Sequence, residues 1–181
     1  ENFQNKNTCM LIFNKKLSVV PLTTHIAIKN VSKKINSRFI KNKIYHLNAG
    51  YYSVFKKKPK IAVLGLNPHN GESRSDTEEK KTIIPVIKFL KKNKHKIYGP
   101  FSSDTFFASN KILKYDIVLG MYHDQVLTPF KTIFKFDACN ITLGLKYFRV
   151  SPDHGTAEDI IGKKRANPLS LIKSIDFISN I

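Results

Sequence analysis

The sequence predicts an α/β domain of three layers, α/β/α, and three observations carry that expectation. Two compact apolar runs, around Ile61-Ala62-Val63-Leu64 and Ile117-Val118-Leu119, have the composition of strands buried on both faces. Segments with helical spacing of apolar residues lie between such runs, and strands alternating with helices of about 10 to 16 residues imply βαβ units. No internal repeat and no long Gly/Ser/Pro linker divides the chain, so residues 1–181 read as a single α/β domain.

Taken in order, Thr8 to Phe13 and Leu17 to Pro21 are expected strands around an Asn14-Lys15-Lys16 turn. Asn30 to Ala49 carries Val31, Ile35, Phe39, Ile40 and Leu47 at helical spacing, with Gly50 as the expected stop. Lys60 to Leu66 is a buried strand ending at Asn67-Pro68-His69. Thr77 to Lys92 is a helix with Thr77 as N-cap and Glu78 and Glu79 in the first turn, where acidic groups favour the helix dipole. Asp116 to Gly120 is a second buried strand, running into Met121-Tyr122-His123-Asp124. Asn140 to Leu143 and Tyr147 to Val150 are further strands, and Pro168 to Ile178 is a closing helix.

Composition bounds the function. The 181 residues, 41% hydrophobic and 24% charged, exclude a disordered chain, and eight glycines with eight prolines exclude a collagen-like one. The net charge of +18 suggests a nucleic-acid or anionic-membrane binder at first. Of the 31 basic residues, however, only Arg38, Arg74, Arg149 and Arg165 are arginine, the residue that nucleic-acid interfaces use most. The 27 lysines sit among abundant Asn and Ile, the joint enrichment that an AT-biased genome imposes on surface positions, and lack interleaved aromatic residues for base stacking. No nucleic-acid partner is expected. No apolar run nears the roughly 20 residues that span a bilayer, and Glu1-Asn2-Phe3-Gln4-Asn5 has no signal-peptide character. Two cysteines, Cys9 and Cys139, are too few for a disulfide scaffold or thiolate metal site, so a reducing, cytoplasmic location is expected.

The chemistry gathers where strands end. Ligands of open α/β sheets bind at the carboxyl ends of strands, and three histidines follow such ends: His25, His69 and His123. One histidine alone is ordinarily a surface or core residue. Three neutral imidazoles, with positions left for water or substrate, make a catalytic divalent-metal site, in which Asp124 orients an imidazole or binds the metal itself. Imidazoles accept Zn, Co, Mn or Mg, so the metal is left open. His46 and His95 fall in Lys-rich stretches and read as solvated.

These segments carry a family resemblance. Thr23-Thr24-His25, Gly65-Leu66-Asn67-Pro68-His69-Asn70-Gly71-Glu72, Gly99-Pro100 with Asp104-Thr105, Met121-Tyr122-His123-Asp124-Gln125, Asn140 to Leu145 and Asp153-His154-Gly155-Thr156-Ala157 occur together and in order. The set closely resembles the 4-hydroxythreonine-4-phosphate dehydrogenase (PdxA) family across nearly the whole chain. The resemblance implies that His25, His69 and His123 bind one divalent metal, in an active site at a homodimer interface. It also implies that the chain is the carboxy-terminal, metal- and NAD-binding part of a longer two-domain enzyme. Lys131, Asn140 and Arg149 match positions that hold a phosphorylated hydroxy-amino-acid substrate, with Lys131 and Asp124 as the candidate catalytic groups. The residue types suit these roles, since lysine is a point charge, arginine a bidentate fork, and asparagine fixes a hydroxyl or amino group. The implied reaction oxidises 4-phosphohydroxy-L-threonine to 2-amino-3-oxo-4-phosphooxybutanoate, which decarboxylates to 3-amino-2-oxopropyl phosphate in pyridoxal 5'-phosphate biosynthesis.

The segment Asp153 to Gly162, with Ala166-Asn167-Pro168, further resembles the adenosine-binding loop of isocitrate and isopropylmalate dehydrogenases. That likeness implies their fold type rather than a Rossmann one, and no G-x-G-x-x-G fingerprint is present. It assigns His154, Gly155, Asp159 and Asn167 to the cofactor. A carboxylate at Asp159 would accept from a ribose 2′-hydroxyl and repel a 2′-phosphate, so NAD is expected over NADP. Competing readings are a helix start capped by Thr156, a paralogue acting on threonate or erythronate phosphate, a tri-histidine metallohydrolase, and an inactive fragment. Loops 73–76 and 134–139 depart from the family pattern beside the proposed site.

Overall fold

A computed structural model describes residues 8–72 and 74–181; the first residues and Ser73, within the altered 73–76 loop, lie outside the described residues. Seven strands form one sheet: β1 (Cys9–Phe13), β2 (Ser18–Pro21), β3 (Ile61–Leu64), β4 (Ile97–Phe101), β5 (Ile117–Gly120), β6 (Cys139–Leu143) and β7 (Arg149–Pro152). Their order is β4-β3-β5-β2-β1-β6-β7. The first four in that order are parallel, whereas β1 runs antiparallel to β2 and β6, and β7 antiparallel to β6. The helices are α1 (Val31–Lys34), α2 (Ser37–Phe55), α3 (Ile84–Lys92), α4 (Ser103–Ala108), α5 (His123–Phe134) and α6 (Leu169–Ser179).

Alternate strand residues feed two separate cores, which makes the three layers. Ile61, Val63, Ile117 and Leu119 join Ile40, Ile44 and Leu47 of α2 and Val86, Ile87 and Leu90 of α3. Ala62, Leu64 and Val118 join Phe106 of α4 and Val126, Leu127 and Phe130 of α5 on the other face. The three-layer α/β expectation is borne out.

Element boundaries differ from the sequence reading for local reasons. The expected helix from Asn30 breaks at Ile35-Asn36, because the Asn36 side chain accepts Phe39 N–H at 2.9 Å and starts a new helix. Gly50 does not stop that helix. It lies inside α2, where an added Cβ would come within 2.7 Å of Leu143 Cβ, so glycine permits close contact between α2 and β6. The expected strand at Tyr147 starts two residues later, so Arg149 opens β7. Thr77 Oγ1 faces Lys80 N–H at 3.5 Å, but the first turn, Glu79–Ile83, is a π-turn and Glu79 is buried in it. In place of a helix capped by Thr156 there is a single 3-10 turn, Glu158–Ile160. Cys9 and Cys139 are free and buried, and burial pushes the Cys139 thiol up to about 12. Among the described residues no helix is long and apolar enough to cross a membrane.

Candidate active site

The three predicted histidines follow β2, β3 and β5, which are neighbours in the order β3-β5-β2 and run parallel. Their loops therefore open at one edge of the sheet, the carboxyl edge at which α/β ligand sites form. Beyond the strands, β2 and β5 stay stitched together: Leu22 N–H donates to Gly120 O at 2.8 Å, and Thr23 Oγ1 to Met121 O at 2.8 Å. That pairing brings His25 and His123 side by side, with ring centroids 5.8 Å apart. Both line a cleft of about 220 Å³ with Thr23, Ile26, Ile28, Tyr122 and Asp124.

His123 is the first residue of α5, and its Nδ1 lies 2.6 Å from Asp124 Oδ1. An ionised carboxylate only accepts, so in a neutral His123 the Nδ1 proton faces Asp124 and Nε2 keeps its lone pair. This is the tautomer a metal ligand needs. His25 reaches the cleft from a left-handed backbone, φ +49°. His69 stands on the next loop, after β3. Asp104 is held below the usual carboxylate range first by a hydrogen bond from Ser102, and then by the Thr105 N–H. Among the described residues no three His, Cys, Asp or Glu side chains converge closely enough to hold one metal ion. Within one chain the donor set is thus an imidazole pair, with His69 outside it.

Two groups that motif spacing did not single out join the histidine loops. Gln125 accepts Met121 N–H at 2.6 Å and donates to Gly65 O at 2.6 Å, bridging the His123 loop to the His69 loop. Glu78 receives Asn67 Nδ2 at 2.8 Å and the Ser32 hydroxyl, tying the His69 loop to the segment after His25. At the base of the His69 loop, Gly65 has no room for a side chain. An added Cβ would lie 2.2 Å from Asn70 Oδ1 and 3.0 Å from Glu79 Oε1. Gly65→Ala is expected to destabilise the fold by about 1–3 kcal/mol through overpacking, measured by denaturant unfolding.

The substrate candidates lie on α5, β6 and β7. Lys131 lies in the last turn of α5, eight residues or about 12 Å of helix from His123. Its ammonium sits 3.4 Å from Asp153 Oδ2 and also donates to Asp153 O. Asp153 is buried, and its other oxygen takes a 2.9 Å bond from Ser170, whose hydroxyl also receives Asp153 N–H at 2.8 Å. Asn140 lies level with Ser151 of β7 and with Ile12 of β1, short of the sheet edge that carries the histidines. Its buried Oδ1 has no hydrogen-bond partner in this structure. Arg149 is exposed on β7 and donates to Thr142 Oγ1 at 3.0 Å. The cofactor candidates His154, Gly155, Asp159 and Asn167 lie on an exposed loop directly after Asp153, with open space around Gly155. One chain thus holds a histidine cleft and, separately, Lys131 joined through Asp153 to the loop. A larger cavity of about 520 Å³, walled by Phe13, Phe55 and Phe177, contains none of the predicted site residues.

Fold and cleft together define an α/β protein whose candidate ligand cleft lies at the carboxyl ends of parallel strands. The chain matches, over residues 1–178, the family model described as pyridoxal phosphate biosynthetic protein PdxA, and it belongs to that family. It is 41% identical over 174 residues to a 4-hydroxythreonine-4-phosphate dehydrogenase from Bradyrhizobium diazoefficiens, covering 95% of this chain and 50% of that relative. With the protein of the same name from Aquifex aeolicus it shares 40% identity, covering 97% and 55%. The crystal structure of 4-hydroxythreonine-4-phosphate dehydrogenase from Klebsiella pneumoniae superposes with a TM-score of 0.80 at 33% identity, covering 96% of this chain and 54% of that one. A terephthalate 1,2-cis-dihydrodiol dehydrogenase from Burkholderia xenovorans, at TM-score 0.70 and 22% identity, shares the fold alone. These neighbours bear out the isocitrate-dehydrogenase-like fold type. The chain spans about half the length of the curated relatives it matches.

Proposed function

We propose that the chain is the metal- and NAD-binding part of a longer, two-domain cytoplasmic dehydrogenase that oxidises 4-phosphohydroxy-L-threonine in pyridoxal 5'-phosphate biosynthesis. The observation that carries the reading is the His25–His123 cleft, with the His123 tautomer set by Asp124, in a chain whose relatives bear that enzyme's name. When bound, a divalent metal and NAD supply Lewis-acid polarisation of the alcohol and a two-electron acceptor. His25 and His123 offer that metal two neutral nitrogens, and His69 is the third ligand of the proposed set.

The remaining residues bind and orient. Lys131 and Arg149 supply positive charge for phosphate and carboxylate, and the unpartnered Asn140 Oδ1 accepts from an amino or hydroxyl group. Asp124, beside His123, takes up the proton that leaves the substrate hydroxyl, with Lys131 as a second proton carrier. His154, Gly155 and Asn167 seat the adenosine, and Asp159 favours NAD over NADP. The separation of the histidine cleft from the Lys131 group within one chain supports a homodimer whose active site combines parts of two copies. The test is NADH formation from 4-phosphohydroxy-L-threonine before and after chelation. Turnover should disappear with chelator, return on adding Zn, Co, Mn or Mg, and be weaker with NADP. Turnover indifferent to chelation would refute the metal role.

A further inference from the structure

The net charge of +18 is not spread evenly over the fold. The parallel strands β2, β3, β4 and β5 all enter the sheet at one edge, opposite the histidine loops. Lysine precedes each of them there: Lys16 before β2, Lys57, Lys58 and Lys60 before β3, Lys96 before β4, and Lys114 before β5. The segments that leave the same strands, residues 22–28, 65–72, 102–109 and 121–125, contain no lysine. Compositional bias alone acts on both edges alike and does not produce this polarity.

Backbone pairing holds these segments side by side. Ile61 N–H donates to Lys96 O at 2.8 Å, Asp116 N–H to Lys60 O at 3.0 Å, and Ser18 N–H to Asp116 O at 3.0 Å. The lysine-bearing segments therefore succeed one another at the strand spacing of about 4.8 Å. All six lysines are exposed and line one cleft of about 430 Å³, whose single acidic lining residue is Asp116. That carboxylate is already engaged, accepting from Lys57 Nζ at 2.7 Å and from Lys60 N–H at 2.8 Å. Among the described residues the other five lysines have no carboxylate within ion-pair distance. Their field extends past the cleft: burial and then the Lys58 charge hold the His95 imidazole below its ordinary range. Like charges gathered in a cleft repel one another and concentrate anions from solution.

We propose that the lysine cleft at the amino edge of the parallel strands is a second binding site, for a linear oligophosphate, separate from the histidine cleft. Lysine meets each phosphate as a point charge, and a row of lysines at strand spacing suits an extended anion. No arginine fork for base reading lines the cleft, and Tyr115 is its one aromatic residue, so a phosphate chain fits it better than nucleic acid. The test is calorimetric titration of the 181-residue chain with tripolyphosphate, ATP, inorganic phosphate and a single-stranded oligonucleotide. About 0.15 M salt screens diffuse surface charge beyond about 8 Å. Tripolyphosphate should bind saturably and more tightly than phosphate. Replacing Lys58, Lys60 and Lys96 together by Gln should weaken it at least about 10-fold, the loss of one charge-assisted hydrogen bond. The melting temperature should not fall, because repulsion is relieved; Lys58→Gln with Lys96→Gln takes the place of the triple variant if that does not fold. Replacing Lys34, Lys88 and Lys146 by Gln removes the same charge from exposed positions outside the cleft and should leave binding unchanged. ATP binding that is lost in the cleft variant and tighter than that of tripolyphosphate would identify the occupant as a nucleotide, and equal affinities would identify the bare phosphate chain. Unchanged affinity in the cleft variant, or equal weakening in both triple variants, would overturn the site. An oligonucleotide that binds more tightly than tripolyphosphate would replace it with a nucleic-acid surface.

Discussion

Replacing either histidine of the cleft should abolish metal binding while leaving the fold intact. His123→Ala removes an Nε2 lone pair that Asp124 leaves available, and His25→Asn removes its neighbour at 5.8 Å while tolerating φ +49°. Each should weaken Zn²⁺ or Co²⁺ binding by more than about 100-fold, beyond the roughly 10–100-fold range of an orienting partner, within which Asp124→Asn should fall because it leaves the imidazole in place. Both histidine positions retain solvent exposure, so unfolding free energies should move by no more than about 0.5 kcal/mol. Calorimetric titration alongside denaturant unfolding checks this ordering. A destabilised His123→Ala would make the imidazole structural, and affinity unchanged in both variants would remove the metal from this cleft.

The second large effect belongs to the helix that carries the site. Phe130 is fully buried, packs its ring 4.9 Å from Phe134, and shares a core with Ile12, Val19, Val118, Val126 and Leu127. It locks against the sheet the helix that begins at His123 and bears Lys131 in its last turn. Phe130→Ala should cost about 3–5 kcal/mol. At roughly 2–4 °C per kcal/mol for a chain of this size, the melting temperature should fall by about 6–20 °C. Thermal unfolding measures it. The cleft and the Lys131–Asp153 contact hang on the same helix, so metal affinity should fall as well.

That helix is also where sequence patterning was weakest. Pro129 lies inside α5 and removes a backbone donor, so a helix from His123 to Phe134 conflicts with the usual rule for proline. Tertiary packing of Val126, Leu127 and Phe130 overrides it. β4 is masked in the sequence for a related reason: Ile97–Phe101 contains Gly99 and Pro100, tolerated because β4 is an edge strand. The β2, β3 and β5 strands were legible because they are short apolar runs bounded by chemistry-bearing loops. Their adjacency was not, since spacing along the chain says nothing about the order β3-β5-β2 that sets three histidine loops at one edge. Glu79 shows the same limit. It does lie in a helix's first turn, as its sequence position implies, but it is also buried beneath Gly65–Asn67, and only the fold reveals three donors converging on it. Motif order found the residues, and long-range pairing decided which of them meet.

If the histidine cleft holds the metal on which a phosphorylated hydroxy-amino acid reacts, substrate must perturb that metal's ligand field. The visible absorption spectrum of bound Co²⁺ during titration with 4-phosphohydroxy-L-threonine reads this perturbation without requiring turnover. Wild-type protein should show a saturable change in the spectrum, and Arg149→Ala the same change displaced to higher substrate concentration. A Co²⁺ spectrum indifferent to substrate at saturating concentration would place the reaction elsewhere than in this cleft.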